Sequence, residues 1–106
     1  MANETLLVIS TFPDVVTARP IARQLVEEKL AACANIIPVI ESVFQWEGKM
    51  EETRETLVFF KTTPSRFPEL QARLTSLHPY DVPEVIAIAV TAGSPDYLRW
   101  VAENCG

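Results

Sequence analysis

The sequence predicts an α+β domain of the split βαβ kind, in which a four-stranded antiparallel sheet carries helices on one face. Three observations carry this. Short apolar runs stand near the two ends of the chain, at residues 5–10 (TLLVIS) and 85–91 (VIAIAVT). Two longer β-rich arms, 34–46 and 50–62, flank Glu47-Gly48-Lys49 in the middle. Stretches of helical periodicity fill the gaps between them. With 106 residues, 48% of them hydrophobic and 22% charged, the chain suits one folded domain over residues 1–106. A domain of this size buries roughly two thirds of its unfolded surface, so its core needs no disulfide or metal to hold it.

Residues 5–10 form a continuous apolar run with β-branched members, the pattern of a strand buried on both faces. Asp14 is placed to cap a helix in which Val15, Ile21, Ala22, Leu25, Val26 and Leu30 recur at helical spacing. Pro20 lacks a backbone donor, so either the first turn is irregular or the regular helix starts near Pro20. The two arms around Glu47-Gly48-Lys49 read as a hairpin. At about 3.3 Å per residue each arm reaches roughly 40 Å, so its polar tip, 47–55, is expected to project beyond the body. Pro38 marks a bulge or bend near its start. Thr63-Pro64 is expected to open a second helix with Phe67, Leu70, Leu74 and Leu77 on one face, its first turns perturbed by Pro68. After the strand at 85–91, Ser94-Pro95 opens a C-terminal helix carrying Tyr97, Leu98, Trp100 and Val101.

This order of elements is the ferredoxin-like arrangement, βαββαβ plus a final helix, with a long hairpin between the second and third strands. Both main helices then cover one sheet face and leave the other bare. Strands with Leu, Val and Ile on both sides make that bare face apolar, the mark of an association surface. A projecting hairpin also offers free strand edges, so exchange of strands around a closed ring of identical subunits is the natural solution.

The formal charge of −5 repels phosphate backbones and anionic lipid heads, which excludes nucleic acid and membrane surfaces as partners. Two cysteines without paired spacing, and an N-terminus with neither a basic region nor a long apolar run, point to a reducing, cytoplasmic location. Three isolated glycines build no phosphate-cradling loop.

The segment His78-Pro79-Tyr80-Asp81-Val82-Pro83-Glu84 is the densest unusual stretch. Its prolines restrict their own φ and the residues before them, which presents His78, Tyr80, Asp81 and Glu84 as a binding site or simply stops a helix and starts an edge. His78 is the only histidine, a candidate metal ligand or a helix-end residue. One imidazole per chain becomes two or three around a ring axis. Trp46, with Glu47, Glu51, Glu52 and Glu55 nearby, reads as an interface anchor beside acidic groups. Lys61 ends a largely apolar arm, either snorkelling or lining a cleft between subunits. Cys33 reads as a small core residue and Cys105 as a residue of the chain end. One histidine and no glycine-flanked nucleophile give catalysis no engine, so no enzyme is expected.

The blocks LVEEKLAACANI (25–36), SVFQWEGKMEE (42–52), KTT (61–63), HPYDVPEV (78–85) and DYLRW (96–100) resemble the CutA divalent-cation tolerance family over nearly the whole chain. The resemblance implies a ferredoxin-like subunit, a tight homotrimer in which long hairpins complete neighbouring sheets, and a cytoplasmic bacterial protein. It also implies a link to copper and other divalent cations and no organic cofactor. At the copper-ligand positions of the family this chain has Ser10, Leu77 and His78, so only His78 keeps the ligand type. Trp46, Lys61, Tyr80, Pro83 and Glu84 match residues of the family's inter-subunit cleft. Two functions follow: weak divalent-metal binding by a metal-responsive trimer, or PII-like signalling with a small effector or partner protein in the cleft.

Overall fold

The computed structural model describes residues 4–105, with β1 (Thr5–Phe12), α1 (Val15–Glu27), β2 (Cys33–Trp46), β3 (Lys49–Thr62), α2 (Phe67–Leu77), β4 (Ile86–Val90) and α3 (Pro95–Glu103). The four strands form one sheet in the order β2-β3-β1-β4, and every neighbouring pair is antiparallel. This is the ferredoxin-like topology expected from the element order.

Local chemistry sets the boundaries. The Asp14 carboxylate accepts the Thr17 backbone N–H at 2.8 Å and caps α1, which runs through Pro20 without a break. The missing proline donor costs the helix a single backbone bond. At its other end Lys29 sits at φ +60, the left-handed conformation that glycine adopts most readily. The Leu30 N–H reaches back to the Leu25 carbonyl and the Lys29 N–H to the Val26 carbonyl, which closes the helix and turns the chain toward β2. Glu47 and Gly48 both have positive φ, the signature of a tight two-residue hairpin turn whose twist matches that of the flanking strands. The β2-β3 register slips between Ile37 and Ile40, so the bulge falls at Pro38. There the Pro38 carbonyl accepts the Thr56 hydroxyl at 2.7 Å.

Helix α2 departs from expectation: it starts at Phe67, not Pro64. Thr63 instead opens a turn in which its carbonyl accepts the N–H groups of Arg66 and Phe67. A helix begun at Pro64 would hold Pro68 against a carbonyl of its own first turn. Begun at Phe67, it leaves Pro68 where no donor is needed. Strand β4 is also shorter than the apolar run that encodes it, at five residues.

The core lies between the helices and the inner face of the sheet. Val8 and Phe12 of β1 and Val58 and Phe60 of β3 meet Ala18, Ala22 and Leu25 of α1 and Leu70 and Leu74 of α2. The opposite face is another matter. Ile86 and Ile88 pair with Ile9 and Leu7 across β1 and are each 50% exposed, and the hairpin adds exposed Val43 and Trp46. The molecule measures 47 × 25 × 22 Å, and residues 47–54 at the hairpin end are exposed throughout.

Candidate functional site

Pro79 disfavours helical backbone at the residue before it, so α2 ends at His78, whose φ of −73 and ψ of 138 are extended. The chain then folds back over β1, and the imidazole enters the protein rather than solvent, 8% exposed and stacked on Phe12 at 4.5 Å between centroids. Both ring nitrogens are committed. Nδ1 lies 3.1 Å from the Tyr80 backbone N–H and accepts from it. Nδ1 therefore bears no proton, and Nε2 donates to the Thr11 carbonyl at 2.7 Å. Burial holds the His78 pKa below its ordinary value, against the opposing effects of the Thr11 bond and the nearby Glu55 carboxylate. The expected metal ligand is in this chain a neutral imidazole with no free lone pair.

Tyr80 continues the chain of contacts. Its hydroxyl donates to Glu55 Oε2 at 2.6 Å, and burial followed by that carboxylate pushes the phenol far above its usual range. Glu55, assigned by sequence to the projecting tip, is only 8% exposed and sits in the hairpin stem. Alternation places it on the outer sheet face beside Leu57, under the returning segment. A buried hydrogen-bonded series thus runs from β3 through Tyr80 and His78 to β1.

Around it opens a cleft of about 870 Å³ between the outer half of the hairpin and residues 79–84. Phe44, Trp46, Glu51, Glu55, Tyr80 and Glu84 are among its walls. Three of the five residues expected to share a cleft, Trp46, Tyr80 and Glu84, meet here. Pro83 lies between two lining residues without lining it. Lys61 is at the far end of β3, its ammonium 5.4 Å from the centre of the Tyr97 ring on α3. Sequence reasoning missed Glu55 and Thr11. The signal for Glu55 was its parity with Leu57 and Phe59, while Thr11 contributes only a backbone carbonyl, which no side-chain pattern encodes.

The CutA1 divalent ion tolerance protein model matches residues 6–104. The chain belongs to that family. It is 46% identical over 100 residues to the divalent-cation tolerance protein CutA of Thermus thermophilus, covering 94% of this chain and 97% of that one. The crystallised Thermus thermophilus protein superposes with a TM-score of 0.93 at 45% identity, over 96% of this chain and 99% of its own. Mouse protein CutA is 50% identical over 91 residues, 86% of this chain but only 51% of the longer mouse protein.

Membership raises the question of whether these residues can hold a metal ion. Among the described residues no three His, Cys, Asp or Glu side chains gather as a metal site requires. His78 is closed on both nitrogens. Ser10 is fully buried with its hydroxyl unpartnered, at a position where a serine oxygen replaces the softer sulfur that copper favours. Cys105 is buried 3.9 Å from the Thr62 hydroxyl, and burial pushes its thiol up, away from the thiolate a metal needs. Cys33, half-buried, is turned 3.5 Å from Asn35 Oδ1. The single chain does not fit a resident copper centre. No helix among the described residues is long and apolar enough to cross a membrane.

Proposed function

We propose that this CutA-family chain serves divalent-cation tolerance as a cytoplasmic homotrimeric binding protein rather than a catalyst, with the cleft beside Tyr80 as its ligand surface. The observation that carries this is the cleft itself, a concave site with a carboxylate-bearing and aromatic wall fixed by buried hydrogen bonds. Divalent ions, copper included, bind weakly there through exposed carboxylates such as Glu84. Trimer formation is supported by the bare outer face and by the two free edges, β2 and β4, which a closed ring would pair.

Light scattering with calorimetric titration of copper and zinc tests the reading. A mass of three 11.8 kDa chains is expected, with weak saturable binding that Glu84→Gln reduces. A monomer, or no heat of binding for either ion, overturns it. The aromatic wall favours a second reading, a PII-like signalling or scaffold trimer that holds a small effector or partner protein in the same cleft. Trp46→Ala would then abolish effector binding while metal titration stays unchanged.

A further inference from the structure

The walls of the cleft carry Glu51, Glu55, Asp81 and Glu84, and no Lys, Arg or His. Glu55 distinguishes this site from an ordinary acidic surface. Its side chain is more than nine-tenths buried and lines the cleft, yet it accepts one hydrogen bond, from the Tyr80 hydroxyl to Oε2. Among the described residues Oε1 meets neither a donor nor a cation. A buried carboxylate needs a compensating positive charge or several donors, and one neutral phenol supplies neither.

Which cation completes it follows from the rest of the wall. Phe44 and Trp46 are 40% and 45% exposed, and Tyr80 stands beside Glu55. Aromatic faces attract cations of diffuse charge, whereas hydrated metal ions seek several oxygen ligands at regular short distances. The volume of about 870 Å³ is that of a small-molecule site. Resting on the cleft as the ligand surface, we infer that it takes an organic ammonium ion, its nitrogen donating to Glu55 Oε1 and its alkyl portion lying on Trp46 and Phe44.

Calorimetry and thermal unfolding of the intact protein with 1,4-diaminobutane, its neutral analogue 1,4-butanediol, and zinc test this. The diamine is expected to bind saturably and raise the unfolding temperature, and added salt should weaken it. Glu55→Gln and Trp46→Ala should each weaken binding at least about tenfold. Trp46 lies on the exposed hairpin, so its replacement reports on binding even if Glu55→Gln disturbs folding. Equal binding of the diol overturns the inference, because charge would then not select the ligand. Zinc binding lost in Glu55→Gln with no diamine binding also overturns it but leaves the cleft reading standing. Binding of neither, with Glu55→Gln lowering the oligomer mass, overturns both and assigns the missing charge to a neighbouring copy.

Discussion

His78 holds its segment in place by accepting on one nitrogen and donating from the other. Protonation would turn Nδ1 into a donor facing the Tyr80 N–H, so the folded state resists it, in the same direction as burial. The unfolded chain therefore binds the extra proton more readily. The stability this contributes is complete above the ordinary histidine value of 6.5 and is lost as pH falls through the lower folded value. Urea midpoints should accordingly drop between pH 7.5 and 5.5, and His78→Gln should flatten that decline. Asp14 and Glu28, held below the usual carboxylate range by the Thr17 and Arg73 hydrogen bonds respectively, lose their contribution only in more acid solution. At Tyr80, replacement by Phe removes the single donor to buried Glu55. A loss of about 2 kcal/mol at neutral pH is expected in chemical denaturation, since the carboxylate is left without a partner.

Among the elements, α1 and the hairpin do most to place the cleft. The exit of α1 depends on Lys29 in a left-handed conformation, which costs an ordinary residue about 1 kcal/mol or more. Lys29→Gly should therefore raise stability by about 1 kcal/mol in urea titration, with no change in ligand binding. An unchanged midpoint would mean that the Leu30 and Lys29 backbone bonds already offset the strain. The hairpin is held at its stem by the Thr56 hydroxyl on the Pro38 carbonyl, at the point where the bulge changes the register. Beyond that point its residues are exposed except where the returning segment covers Glu55, and this is the part that walls the cleft.

For the whole molecule the outer sheet face is the dominant fact. An edge strand with Ile86 and Ile88 half exposed carries unpaired backbone groups and an apolar surface together, a combination that favours association. If the proposed trimer covers β4, Ile88→Asp should reduce the mass toward the 11.8 kDa chain while the far-ultraviolet dichroism persists. A trimer mass that survives the substitution would place the interface elsewhere.

Periodicity and capping residues in the sequence determined the order of elements, the Asp14 and Ser94 caps, the bulge at Pro38 and the turn at Gly48. These are legible because they depend on residues close together in the chain. The start of α2 was misplaced because two prolines each offered a first turn, and only one choice spared the other a lost bond. The Trp46, Tyr80 and Glu84 grouping came from the family resemblance, and the chain brings those three together while leaving Lys61 at the other end of β3. The fate of His78 could not be read from sequence at all. Its partners, Thr11 and Tyr80, offer backbone groups, and Glu55 is buried only because residues 79–84 fold across the hairpin stem. Long-range contacts of that kind depend on where the sheet register and the chain return bring distant backbone together, which side-chain identity alone does not specify.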